Sequence, residues 1–291
     1  MKIHERVLIV GIGMLLAVSC VVTSNNITPV VAGGGGRLNR LSGVLEVRNV
    51  INQSTLATVP TKPGSLNMFD RYSPTGDALW ARGWRRRVNM TGVSTDSVRT
   101  CTLISPRHVL MAWHYQRNIG DTVTFHDASG RRIERLIEEK AALLGGLLPD
   151  IAVARLEREV PLPFYRVLPP RSDYQTYLAG ALAIVTDKDR NLLVRQIGGV
   201  GGRRLRFSKA VQYPDSCADP LISGDSGNPS FVLIRSEPIL IETHTFGGLG
   251  QGAFVSDPEN FAGINALMTQ VGGGYQLTTI DVGSDVPNPI Q

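Results

Sequence analysis

From about Leu79 onward the chain is dominated by short apolar runs cut off by turn residues. They fall at 98–105, 108–112, 122–125, 151–156, 177–185, 192–197, 205–213, 230–234 and 239–246. Runs of this length and spacing predict the strands of an antiparallel barrel or sandwich. One stretch keeps a different period. Phe261, Ile264, Leu267, Met268 and Val271 form a helical stripe that Asp257-Pro258-Glu259 opens and Gly272-Gly273-Gly274 closes. No internal repeat is visible, and the tail over 273–291 carries no pattern of its own.

Ahead of Leu79 the pattern changes twice. Lys2 and Arg6 precede an uncharged run of 16 residues from Val7 to Val22. That is short for a bilayer span and fits the apolar region of a signal peptide, so 1–28 is expected to be a signal peptide or lipoprotein anchor. Ala17-Val18-Ser19-Cys20 resembles a bacterial lipobox; cleavage near Ala32 and an uncleaved anchor are the alternatives. Export follows in each case: secreted, periplasmic or anchored at the cell envelope. Residues 29–76 are polar and rich in Gly, Pro, Asn and Thr, which predicts a linker or pro-segment. Within them, 44–50 alternates as a strand would.

Composition narrows the class. A 42% hydrophobic content, 19% charge and 31 glycines describe a loop-rich globular protein rather than a disordered one. The net charge of +5 rests largely on short arginine clusters at Arg85-Arg86-Arg87, Arg131-Arg132 and Arg203-Arg204 with Arg206. No interleaved aromatics or nucleic-acid motif accompany them, so they are read as a solvated basic face and not as a nucleic-acid site.

The chemistry concentrates at Ser223-Gly224-Asp225-Ser226-Gly227-Asn228-Pro229. A hydroxyl nucleophile needs an exposed Oγ and nearby donors for the developing oxyanion. Gly224 allows a tight turn that aims backbone N–H groups at one point, and Gly227 removes bulk where a substrate backbone would approach. The same residues also suit an ordinary polar turn. Such a serine requires a base, and the base an orienting group. Among the histidines His4 lies in the export signal, His126-Asp127 reads as an exposed turn, and His108 follows a turn at Ser105-Pro106-Arg107. His114 stands where the apolar run ending Met111-Ala112-Trp113 gives way to a loop, and Asp150 heads the apolar strand that starts at Ile151. A buried carboxylate there needs a compensating donor, which an imidazole N–H supplies.

Three segments together resemble the trypsin/chymotrypsin-like serine proteases, in their bacterial form. Met111-Ala112-Trp113-His114 is similar to the family's histidine motif, Pro149-Asp150-Ile151-Ala152-Val153 to its aspartate motif, and Gly224-Asp225-Ser226-Gly227-Asn228-Pro229 to its serine motif. The order His, Asp, Ser is the family's. The resemblance runs from about Leu79 to Val271 and implies an all-β fold of two six-stranded antiparallel barrels with a C-terminal helix, occupying 77–272. It implies a serine endopeptidase with His114, Asp150 and Ser226 as catalytic residues and the N–H groups of Gly224 and Ser226 as the oxyanion hole. The substrate is then a protein or peptide, with no metal and no cofactor. A catalytically silent protease-like binding or scaffolding lipoprotein is the alternative.

Departures from the family pattern matter too. Asn228 replaces a glycine, Met111 and Trp113 replace small residues, and Cys101 and Cys217 match none of the family's disulfides, leaving them free or privately bridged. No Ile-Val-Gly-Gly activation site is present. The resemblance implies that Pro220, with Asp219 beside it, lies at the base of the specificity pocket and that Thr245-Phe246-Gly247 lines its wall. An uncharged Pro220 argues against cleavage after Arg or Lys. His244 either reaches this pocket, where it would favour an acidic side chain, or sits on the outer face of its strand.

Overall fold

The computed structural model describes residues 35–96, 99–143 and 149–281, with side chains from Val47 on. The expected signal or anchor over 1–28, Cys20 included, lies outside the described residues. Helix α1 (Gly35–Thr58) leads into β1 (Phe69–Arg71), β2 (Leu79–Trp80) and the short α2 (Trp84–Arg87). A first sheet then forms from β3 (Thr102–Leu103), β4 (His108–Met111), β5 (Thr122–His126), β6 (Arg132–Ala142) and β7 (Ala152–Leu156). After α3 (Tyr174–Leu178) come β8 (Leu182–Thr186), β9 (Leu192–Gly201), β10 (Arg204–Lys209), β11 (Pro229–Ile234), β12 (Glu237–Phe246) and β13 (Gln251–Phe254), and α4 (Pro258–Val271) closes the order.

The fold is a chymotrypsin-like pair of antiparallel β-barrels with a C-terminal helix. Strands β8 to β13 form a closed six-stranded barrel in the order β10-β13-β12-β11-β8-β9. The first sheet has five regular strands in the order β3-β4-β7-β6-β5. Its sixth place is filled by the irregular segment 93–95. Ser94 N–H donates to Cys101 O at 2.8 Å on one edge, and Thr95 N–H to Thr124 O at 2.9 Å on the other.

Alternation along the strands explains the packing. In β8 every residue is buried, but neighbours go to opposite sides. Ala183 and Val185 join Leu193, Ile197 and Phe254 in one cluster of the second barrel. Leu182 and Ile184 instead meet Leu110, Ile151 and Val153 of the first sheet, forming the seam between the barrels. Helix α4 completes that seam with Ile264, Leu267, Met268 and Val271. Its start matches the sequence reading: Asp257 caps the N–H groups of Glu259 and Asn260 at 3.0 and 3.2 Å, with Pro258 next.

Three readings are corrected. The stretch 44–50 is not a strand but part of α1. Val47, Ile51, Thr55 and Val59 recur every four residues and are all buried, a helical stripe. Asn52 accepts the N–H of Leu182 at 2.7 Å, so from Val47 onward the polar leader packs against the second barrel rather than hanging as a tether. Second, 177–185 divides into α3 and β8 at Gly180, whose φ of 86° a side chain would resist. Third, His126 is fully buried, not in an exposed turn. Its ring is bonded to Thr95 Oγ1 at 2.9 Å and packs edge-on against Phe69 and Tyr72.

Candidate active site

Strand register brings the histidine to the aspartate. Strand β4 pairs antiparallel with β7, with Met111 opposite Ala152. His114, in the 3-10 turn Trp113–Tyr115 just past β4, therefore stands beside Asp150, just ahead of β7. Asp150 is almost wholly buried and grips this turn twice. Its Oδ1 accepts the backbone N–H of His114 at 2.8 Å, and its Oδ2 accepts Nδ1–H at 2.6 Å. With Nδ1 so occupied, Nε2 is left as the acceptor for Ser226 Oγ–H, 2.9 Å away. The imidazole itself is 37% exposed, so this line ends at the surface, where a substrate can reach it. An imidazole so held can take the hydroxyl proton and keep the resulting charge beside a buried carboxylate.

The loop carrying Ser226 docks on both barrels. Gly227 has a φ of 87°, and a Cβ there would lie 2.9 Å from Thr100 O. The close approach that demands this glycine is thus made by the first barrel itself and not by a substrate. Gly224 owes its glycine to the backbone itself, whose φ of 100° a side chain would resist. Among the described residues no acceptor takes the N–H of Gly224 or of Ser226. Asn228, where the family pattern has glycine, locks the turn. Its side-chain amide donates to Asp225 O at 3.0 Å, and its carbonyl accepts His244 N–H at 3.0 Å. Met111 is buried in the first barrel's core and Trp113 packs against it, which accommodates both departures beside the histidine.

Asp225 is buried, and its carboxylate is compensated from within the chain. Lys188 N–H donates to Oδ1 at 2.9 Å and Ile222 N–H to Oδ2 at 2.5 Å. Sequence reasoning missed Lys188, because backbone donors leave no residue-type signal.

A small pocket adjoins Ser226. His244, Thr245, Phe246 and Gly247 line one wall, and Leu221 and Ile222 the other, enclosing about 10 Å³. Pro220 is exposed and lies outside this lining. His244 is at the pocket and not on an outer face, but its ring nitrogens are turned to other partners. Its ring is fully buried, with Nδ1–H donating to Glu242 at 2.9 Å and Nε2 3.2 Å from Thr186 O. Glu242 also accepts Ser230 Oγ–H at 2.7 Å. Arg195, fully buried on β9, reaches Asp219 O, Gly248 O and Leu249 O. Burial pulls its guanidinium down to about 10, with Glu242 the chief opposing charge. The spacing of Glu242 and His244, two apart in an apolar strand and so on one face, was a readable signal of a buried pair.

His108 sits apart from the serine. Its Nδ1 accepts from Ser105 Oγ at 2.8 Å, and its Nε2–H donates to Gly272 O at 2.7 Å, tying β4 to the end of α4. Cys101 and Cys217 are both free and buried.

No family model and no curated protein matches the chain. Similar solved structures include the VesB protease of Vibrio cholerae, at a TM-score of 0.42 and 15% identity over 58% of this chain. The secreted serine protease VesC from the same organism gives a TM-score of 0.44 and 14% identity over 64% of it. The chain covers 59% of the first of those proteins and 46% of the second.

Proposed function

We propose that the protein is a serine endopeptidase. The observation that carries this reading is the unbroken hydrogen-bond line from buried Asp150 through His114 to Ser226 at the surface. In this reading Ser226 Oγ attacks the scissile carbonyl while His114 takes its proton. The N–H groups of Gly224 and Ser226 hold the oxyanion. His114 then hands the proton to the leaving amine, leaving an acyl-enzyme that a water molecule hydrolyses by the same proton route. Asp150 fixes the imidazole tautomer and stabilises its charged form. The catalytic unit is taken as 77–272 with the leader from Val47 docked on it. Export follows from the basic start and apolar run over 1–22, with protein or peptide as the substrate.

The test is labelling of the full chain with a fluorophosphonate, with the adduct mapped by mass spectrometry, beside hydrolysis of an unfolded protein substrate. A single adduct on Ser226 together with hydrolysis is expected; neither labelling nor hydrolysis would remove the reading.

A further inference from the structure

We propose that the pocket beside Ser226 accepts only the smallest P1 side chains, those of glycine, alanine and serine, because its walls are bonded to each other; this rests on the endopeptidase reading above. Leu221 N–H donates to Gly248 O at 2.7 Å, and Gly248 N–H returns a bond to Leu221 O at 3.0 Å. The two residues form an isolated antiparallel bridge that joins the segments of the two walls. At Gly247 a Cβ would come within 2.7 Å of Leu221 O, so the walls already touch. What remains, about 10 Å³, is the room of a single water molecule.

Arg195 ties the walls together a second time. Its guanidinium donates to Asp219 O on one wall and to Gly248 O and Leu249 O on the other. Parting the walls for a larger side chain would break both bridge bonds and strip a buried cation of its acceptors, which is costly in a low dielectric. Arg195 is thus a positioning residue for specificity, acting through the backbone.

The buried charged groups at the pocket are already engaged. Both oxygens of Asp225 are taken by Lys188 and Ile222, and those of Glu242 by His244 and Ser230, so neither buried carboxylate is left for Arg or Lys. Both ring nitrogens of His244 are engaged as well, so no donor waits for Glu.

The test profiles cleavage of a peptide library varied over all P1 residues, using the full chain, beside labelling by a fluorophosphonate that carries no P1 side chain. Labelling is expected together with a preference for P1 alanine over Phe, Leu, Arg and Glu of about 100-fold or more in kcat/KM. Leu221→Ala, which enlarges the pocket, and Arg195→Met, which removes the staple, are each expected to raise cleavage after Val and Leu at least about tenfold relative to alanine. Both variants should still be labelled at Ser226, which a merely structural loss would not allow. Should Arg195→Met fail to fold, Leu221→Ala and the parent's own profile decide. A labelled parent that cleaves after large residues as well as after alanine, or that cleaves no peptide at all, overturns the closed pocket. Absence of labelling overturns the protease reading instead.

Discussion

The backbone N–H of Lys188 lies 2.9 Å from the buried carboxylate of Asp225, the residue between Gly224 and Ser226. The loop that carries Lys188 is itself braced by the leader. Met68 N–H donates to Arg190 O at 2.8 Å, Leu192 N–H to Leu66 O at 2.9 Å, and the Asn67 side chain to Asp189 O at 2.7 Å. Asp225 therefore needs no ammonium freed by cleavage to hold the turn. The chain is expected to label at Ser226 without proteolytic processing, as judged by the intact mass of the labelled protein. Asp225→Ala, which releases the turn, should lower kcat by about 10²–10³-fold, the scale of losing an oxyanion donor.

The two histidines, one opening β4 and the other in the turn past its end, separate the proposed catalytic role from the structural one. His114→Gln is expected to abolish hydrolysis, and Ser226→Ala to do so with the fold intact, each by several orders of magnitude. His108→Gln should keep most of the activity, because His108 touches Ser105 and Gly272 and not the serine. Steady-state rates on one peptide check the ranking. A Ser226→Ala rate within tenfold of the parent, or a reversal between the histidines, contradicts the assignment.

His108 instead shapes the response to acid. Burial pulls its imidazole below the ordinary value of 6.5, with nearby Arg155 and Arg107 acting in the same direction and the bond to Gly272 opposing. Between its folded value and 6.5 the unfolded chain holds a proton that the folded chain lacks. Stability from this group is thus complete above about 6.5 and is lost as pH falls below it. Melting curves from pH 7 to pH 5, in a Ser226→Ala background to prevent self-digestion, should show a fall in Tm that is smaller in the His108→Gln protein.

What could be read before the structure was local. The three chemical segments each carry their residue types within a few positions, and strand register then made neighbours of His114 and Asp150. The terminal helix was legible because a cap, an apolar stripe and a glycine stop agree. Strand β6 escaped notice because exposed Glu134, Glu138 and Glu139 flank its buried Ile133 and Ile137. Helix α1 was misread because a stripe with period four contains short stretches that also alternate. The closed pocket was invisible for a different reason. The Leu221–Gly248 bridge and the reach of Arg195 join segments far apart in the chain, and no pattern within either segment announces the pairing.

The cysteines provide the last expectation. Cys101 belongs to the core of the first barrel, beside Leu103, Val123 and Phe125, whereas Cys217 lies in the cluster at the seam. A disulfide requires Cα atoms within about 7 Å, which separate cores do not offer, and both thiols are free. Burial pushes the Cys101 thiol up to about 11 against the opposing charge of Arg117, and raises that of Cys217 as well. The thiolate is the reactive form, so at pH 8 only about one Cys101 in a thousand would be reactive even if reagent could enter. Iodoacetamide at pH 8 should therefore leave both cysteines unmodified in the native protein and alkylate both in denaturant, and dithiothreitol should not shift Tm. Rapid native alkylation of Cys101 would show that the first barrel opens far more readily than its packing implies. A drop in Tm under reduction would show that the two thiols are bridged after all.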